Sequence, residues 1–362
     1  MIDAGGARMS VGRAVNWLLS GERVGSRALA WVLAAAVLAL ALAPFYVPGG
    51  RGLAAAARIC IFIVLVGSYD LLLGYTGLVS FAHTIFFGFG AYGAAIALKS
   101  LGATWPALIL GGSLGIAAAV VLALAVGLLT LRVRNIFFSM VTLAIASFFL
   151  VLASQLSEIT GGEDGMTFQV PDPLGPAARL GELFGLRITG AVVVYYAVFL
   201  ASALLFLGML RLINSPFGRV LRAIRENDFR AEALGFPVVV YRSLVCCFAA
   251  GLAAAAGVMD AVWLRYTGPN TVLSFSIMLD ILLMLVIGGI GSLYGAILGA
   301  AVLVLGQAYL QDLMRLASDS TQAWPLLSAL LHPDRWLLWM GIFFIAFVYV
   351  FPRGIVGSLR RS

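Results

Sequence analysis

The sequence predicts an all-α polytopic inner-membrane protein with about ten transmembrane helices. The chain is 62% hydrophobic, and its mean hydropathy is +1.05. Apolar runs of about 20 residues recur along it, which is the length that a helix needs to cross a bilayer. The strand alternation of outer-membrane barrels is absent from the sequence. Helices are therefore the expected way to satisfy the backbone in lipid.

Ten runs are long enough to be spans, and eight or nine remain possible. The weak point is 274–310, where Gly288-Gly289-Ile290-Gly291 is either a tight turn or a break within one re-entrant unit. The predicted spans are 29–48, 53–73, 77–98, 106–130, 136–156, 189–212, 241–262, 274–290, 293–310 and 336–352. The first apolar run is too long for a signal-peptide core, so we expect a retained span.

The net charge of +7 fits a membrane topology better than nucleic-acid binding. With both termini cytoplasmic, most of the 23 basic residues fall in inner segments, as the positive-inside rule requires. We therefore predict a cytoplasmic segment 1–28, a transmembrane domain 29–352 and a cytoplasmic tail 353–362. An acidic loop at 157–188 lies outside and a charged loop at 214–240 lies inside. The three cysteines have no metal-ligand spacing and are expected to pack in apolar runs.

A glycine-rich segment covers residues 74–93. The favoured interpretation is that its glycines let helices cross closely, because small residues serve this purpose in lipid. The alternative is a broken helix that lines a translocation route, since irregular backbone is tolerated there only beside protein or water.

Two carboxylates, Asp70 and Asp280, lie within apolar runs, where a charge is costly and a functional role is the default. A structural anchor for neighbouring helix ends is favoured over proton coupling. His83 has no second ligand nearby, so we expect a polar packing residue rather than a metal site or a proton relay. In the outer loop, residues 160–165 (Thr-Gly-Gly-Glu-Asp-Gly) favour a plain turn over cation binding or docking of an outer partner.

The inner loop concentrates charge in a chain in which only 11% of residues are charged. Ser215-Pro216 is a good helix opening and Gly235 a good stop, so one or two short amphipathic helices are predicted. Arg222–Glu226 and Glu226–Arg230 have the spacing of i,i+4 ion pairs. The loop suits an anionic lipid surface or a groove of a soluble ATPase subunit. The interspersed acids favour the protein partner.

Several chemistries are excluded by missing motifs. Lys99 is the only lysine, and no G-x-x-x-x-G-K-[ST] sequence surrounds it, so the chain has no P-loop for ATP. No H-E-x-x-H sequence supports an intramembrane metalloenzyme. We therefore expect a chain without catalytic residues, metal or cofactor of its own.

Four blocks, in order, resemble the permease subunits of ABC importers of the branched-chain amino-acid type, the LivM-like branch. They are Asp70–Gly77 with Ser80, His83, 86–88 and 90–92; residues 160–165; Ser215–Arg219 with 223–227 and 231–235; and Gly288–Gly295 with 298–300 and 351–354. The first 50 residues and 311–335 carry no usable resemblance.

The resemblance implies a permease of a bacterial inner-membrane importer for branched-chain or other amino acids, or for related solutes such as urea and amides. It implies a second permease, two cytoplasmic P-loop ATPase subunits that use ATP and magnesium, and a periplasmic binding protein. The ATPase-coupling residues are then Ser215, Pro216, Phe217, Gly218, Arg219, Arg222, Arg225, Glu226, Glu232 and Gly235.

We expect the glycine-rich segments 74–93 and 288–299 to line the route. The candidate residues are Asp70, Gly74, Tyr75, Gly77, Ser80, His83, Gly88, Asp280, Gly288, Gly289 and Gly291. The alternative function is a proton-coupled secondary transporter that uses Asp70, Asp280 or His83. Such a transporter has no need of a coupling helix at 215–235.

Overall fold

Long helices dominate the computed structural model, which describes residues 26–46, 50–130, 135–175, 179–183, 186–320 and 332–359. Ten helical segments within these ranges are long and apolar enough to cross a membrane. Each coincides with one predicted span. The predicted segment 1–28 lies almost wholly outside the described residues.

The helices follow one another along the chain. In chain order they are α1 (Arg27–Tyr46), α2 (Gly50–Thr76), α3 (His83–Leu101), α4 (Trp105–Thr130), α5 (Asn135–Gln155), α6 (Ser157–Thr160), α7 (Gly190–Asn214), α8 (Pro216–Glu226), α9 (Asp228–Ala233), α10 (Val238–Leu264), α11 (Pro269–Val272), α12 (Phe275–Gly288), α13 (Leu293–Ser320), α14 (Trp336–Val350) and α15 (Gly354–Leu359). Short 3₁₀ turns cover Gly162–Asp164 and Pro333–Arg335.

The all-α prediction is incomplete, because two small antiparallel sheets join the helices. Strand β1 (Met166–Thr167) pairs with β4 (Tyr266–Thr267), and β2 (Arg179–Leu183) pairs with β3 (Leu186–Thr189). These strands are too short for a periodic sequence signal.

The 160–165 segment is a structured turn, in which Gly161, Gly162 and Gly165 have positive φ.

Helix α2 forms the centre of the bundle. Its most apolar stretch is 89% buried, and it packs against α7, α10, α12 and α13. The outer helices α1, α5 and α14 are largely exposed, with side chains such as Trp31 and Tyr349 on the surface. The exposed side chains of the outer helices are largely apolar, as expected for surfaces that face lipid.

Glycines allow α3 to approach α4 and α10 closely. A Cβ on Gly90 would overlap the carbonyl oxygen of Ala254, and one on Gly257 would overlap that of Phe87. A Cβ on Gly93 would lie 2.7 Å from the carbonyl oxygen of Gly111. The favoured interpretation of these glycines, close helix packing, therefore matches the contacts.

The glycine-rich segment also breaks the helical path, so the predicted third span begins too early. Helix α2 ends at Thr76, Gly77 has a φ of +73°, and α3 begins only at His83. The intervening backbone bonds to α5: Ser139 Oγ donates to the Val79 carbonyl (2.8 Å), and the Phe81 N–H donates to Thr142 Oγ1 (3.0 Å). Hydroxyls of a neighbouring helix thus satisfy backbone groups that helix geometry leaves open.

A second break separates α12 from α13. Gly289 and Gly291 have φ values of +112° and +86°, which only glycine adopts readily. The stretch 274–310 therefore holds two helices joined by a tight turn, and α13 continues ten residues beyond the predicted end at 310, to Ser320.

The close helix contact yields a stability prediction. Gly90→Ala should lower the free energy of unfolding by about 1–3 kcal/mol, because the new methyl group would meet rigid backbone of α10. Gly208→Ala is the matched control, since no atom lies within 4 Å of its Cβ position. Thermal unfolding of the purified variants measures both. Equal midpoints for the two variants would contradict the packing.

Candidate functional site

The charged loop at 214–240 folds as two short helices, as predicted. Pro216 occupies the first turn of α8, and Leu221 and Ile224 are buried on the face toward the spans. Gly218 lies against the end of α7, where a Cβ would overlap the Ile213 carbonyl oxygen. The amphipathic sequence therefore lays the apolar face of α8 against the bundle.

Two details of this loop were predicted wrongly. Ser215 does not cap α8 with its side chain; its hydroxyl donates to the Leu212 carbonyl at 2.6 Å. The i,i+4 pairs of Glu226 with Arg222 and Arg230 do not form within the described part of the chain. Asn227 separates α8 from α9, and its side chain caps α9 by accepting from the Arg230 N–H (2.9 Å).

The loop is attached to the end of α2 by two arginines of α8. Arg225 Nη1 donates to the carbonyl of Gly74, and the Arg222 guanidinium lies 5.3 Å from the ring centre of Tyr75. The first contact occupies a carbonyl in the last turn of α2, where an arginine also interacts favourably with the helix dipole. Both arginines therefore contact the spans.

The turn between α12 and α13 meets the same point. The Gly291 N–H donates to Asp70 Oδ1 at 2.8 Å, and Asp70 is completely buried. A Cβ on Gly291 would lie 2.8 Å from Arg225 Nη1, and one on Gly74 would overlap Asp70. We call this meeting of α2, α8 and the 289–292 turn the loop–span junction; its residues are Asp70, Gly74, Tyr75, Arg222, Arg225 and Gly291.

The junction combines candidates from both predicted sets, since Asp70, Gly74, Tyr75 and Gly291 were route candidates and the arginines were coupling candidates. The geometry of Asp70 is that of an anchor for a neighbouring backbone turn. His83 is equally enclosed: it is fully buried, its Nε2 lies 2.8 Å from Ser68 Oγ, and Tyr69 and Phe86 pack against its ring. Both residues have the contacts of structural side chains.

The opposite face of the loop presents apolar side chains outward. Phe229 of α9 is 80% exposed, and Leu234 just after α9 is 72% exposed. Charged neighbours, among them Arg230 and Glu232, surround them. The loop is anchored behind them by the Arg242–Asp228 ion pair (3.4 Å). Apolar side chains on a polar, non-spanning helix are typical of a protein-binding surface.

Asp280 lies far from the junction, in a cavity of about 570 Å³ between α2, α10, α12 and α13. Its Oδ1 accepts from Gln307 Nε2 (3.0 Å). Arg58 and Asp260 line the same cavity. We call it the polar cavity. Since 16 residues of α2 separate Arg58 from Gly74, it lies roughly 24 Å along the helix from the junction.

Arg58 and Asp260 were not predicted as candidate residues from the sequence. Each is a charged residue inside a predicted apolar span, so the argument that selected Asp70 and Asp280 applied to them equally. What the sequence did not reveal was that three separate helices bring Arg58, Asp260 and Asp280 to one cavity.

Residues 53–348 match the family described as branched-chain amino acid transport system / permease component. The high-affinity branched-chain amino acid transport system permease protein LivM of Escherichia coli (strain K12) is 29% identical over 294 residues, which are 76% of this chain and 68% of that protein. The same-named protein of Salmonella typhimurium is 28% identical over the same shares. No solved structure matches the chain.

The anchoring contact can be tested at Asp70. Asp70→Ala should reduce the free energy of unfolding by about 1–3 kcal/mol, because the half-buried Gly291 N–H loses its acceptor. Asp70→Asn keeps an oxygen acceptor at the same place and should cost less than half as much. Denaturant unfolding of the purified variants measures the difference. An equal loss in both would show that the acceptor for Gly291 is not the stabilising element.

Proposed function

Because the chain belongs to the family of branched-chain amino acid transport permeases, we propose that it is the membrane-spanning subunit of an ATP-driven ABC importer. Its family and its ten apolar helices make it a multi-pass membrane protein of a transport system. The proposed cargo is a branched-chain or other amino acid, or a related small polar solute such as urea or an amide. The proposed membrane is the bacterial inner membrane, with both termini in the cytoplasm.

The observation that carries this proposal is the loop–span junction. A docked ATPase would hold the exposed face of α9, while the other face of the loop holds the spans through Arg222 and Arg225. The Arg225 hydrogen bond joins α8 directly to the last turn of α2, so a displacement of the loop would reach the end of α2. Through Asp70 and Gly291 the same displacement reaches α12 and α13.

The proposed partners supply functions for which this chain has no sequence motif. ATP and magnesium would bind to two cytoplasmic P-loop ATPase subunits, since the sequence holds no P-loop. A second permease would complete the membrane domain, and a periplasmic binding protein would deliver the solute. In this proposal the chain binds no cofactor or metal and catalyses no reaction itself.

A more specific proposal concerns the residues that line the solute route. Gly77, Ser80, Gly288 and Gly289 lie at or beside the two helix breaks, where small residues allow backbone to move. Asp280 belongs to the polar cavity instead. We therefore propose that the breaks form the inner end of the route and that the polar cavity lies at its other end.

The docking surface yields a direct test. Phe229→Ser with Leu234→Ser should reduce co-purification of the ATPase subunits at least about tenfold, because the exposed apolar contact is lost. Leu313→Ser with Leu316→Ser is the matched control. These leucines are similarly exposed, at 62% and 68%, but lie near the far end of α13. Affinity purification from membranes with quantified subunits measures both variants.

Two results would contradict the proposal. Unchanged co-purification in the Phe229/Leu234 variant, with normal membrane insertion, would exclude this docking surface. Solute uptake driven by a pH gradient in liposomes that contain this chain alone would favour the proton-coupled transporter instead.

A further inference from the structure

The central helix α2 carries an exposed arginine at membrane depth. From Ala55 to Thr76 its residues are buried or half-buried except for Arg58, which is exposed. The Arg58 guanidinium lies 5.2 Å from the ring centre of Phe62, one turn further from the nearer end of α2. Arginines near the end of a span usually extend toward the membrane surface. Arg58 extends the other way, toward the middle of the span.

Two carboxylates interact electrostatically with Arg58 across the polar cavity. They belong to Asp260 of α10 and Asp280 of α12. Asp260 is only 8% exposed, and Asp280 also accepts from Gln307. These charges stabilise one another, but hydrocarbon placed against the exposed arginine would remain costly. The face around the polar cavity therefore requires a cover other than lipid.

The outer faces of the bundle differ from this one. No charged residue occurs in 28–46 of α1 or anywhere in α4, α5 and α14. The exposed side chains of these helices are largely apolar, such as Trp31, Leu110 and Ile345. Such surfaces suit lipid, whereas ionisable residues at membrane depth normally face other helices or water. The face around the polar cavity is therefore the one suited to a protein partner.

The border of the polar cavity is open to a partner on three helices. Leu264 of α10 is 46% exposed, and Ser276 of α12 and Ala308 of α13 are also exposed. A partner that covered Arg58 would contact all three helices at once. A cover within the bilayer must satisfy its own backbone in lipid, so the partner must itself span the membrane.

The charges at the cavity distinguish between two kinds of membrane partner. Arg51 at the edge of the cavity pairs with Asp312 at 3.5 Å, which leaves two carboxylates beside one guanidinium. A second copy of this chain would bring a second excess carboxylate to the contact. A different subunit with basic or hydrogen-bond-donor side chains would complement the excess.

We propose that the face around the polar cavity contacts a second membrane-spanning subunit of different sequence, which presents basic or hydrogen-bond-donor side chains to Asp260 and Asp280. The contact encloses Arg58 between the two subunits and leaves the outer faces of α1, α4, α5 and α14 to lipid. This inference rests on the proposed function, since it gives the second permease its position against this chain.

The test is photo-cross-linking in native membranes, with p-benzoylphenylalanine replacing Leu264 or Ala308 in the tagged full-length chain. Both positions should form adducts with one multi-span protein other than this chain, because both line the polar cavity. Sequencing of the adducts should find a basic or amide side chain within one turn of the cross-linked partner residue. Leu110 is the matched control: it is 49% exposed on the uncharged α4 and should form adducts only with lipid.

A charge variant tests the complementarity separately. Asp260→Asn with Asp280→Asn should reduce co-purification of the cross-linked partner about tenfold, because the contact loses both carboxylates. Asp312→Asn is the matched control, since its partner Arg51 belongs to this chain, and it should leave co-purification unchanged. Normal membrane insertion of each variant is verified first.

Several results would overturn the proposal. These are adducts with a second copy of this chain, lipid adducts alone at Leu264 and Ala308, or an equal yield of the same partner at Leu110. Equal recovery of the partner from the Asp260/Asp280 and Asp312 variants would overturn it too. ATPase subunits are quantified in the same samples. Their absence even from the unmodified chain would count against the proposed function and leave the adducts at the cavity standing.

Discussion

Backbone groups at a helix break inside a bilayer must find hydrogen bonds within the protein, and this requirement organises the whole bundle. Two breaks in the helical path, after Thr76 and after Gly288, meet at the end of α2. Side chains from other helices satisfy the open groups: Ser139 and Thr142 at the first break, and Asp70 at the second. The buried polar residues at these points follow from the breaks. The charged loop then attaches to the same place through Arg225.

Polar chemistry consequently gathers at two ends of the bundle. One end combines backbone turns with the arginines of α8, and at the other Arg58, Asp260 and Asp280 line one cavity. Between the two ends α2 is almost uniformly apolar and buried. Burial of such a helix is favoured by tight packing, which glycines such as Gly90 and Gly257 permit on α3 and α10.

The sequence predicted the spans well because length and hydropathy act locally. It predicted two short helices in the inner loop for the same reason, from Pro216 and Gly235. It did not predict the Ser215 helix cap or the ion pairs of Glu226 correctly. The Ser215 hydroxyl has a competing acceptor in α7, and the helix break at Asn227 removes the spacing on which the Glu226–Arg230 pair depends. The short strands were also missed because their length gives no periodic signal. The polar cavity was missed because it arises from contacts between distant segments that no local pattern encodes.

The continuity of α2 has a thermodynamic consequence. Its 27 residues run without interruption from Gly50 to Thr76, so Arg58 and Gly74 belong to one rigid element. A change in the position of one end therefore displaces the other end. The coupling free energy between the two ends is the same in both directions. Under the proposed function, a solute that prefers one position of α2 would raise the affinity for whichever ATPase state prefers that position. The ATPase and the solute would then influence each other's binding across the membrane without direct contact.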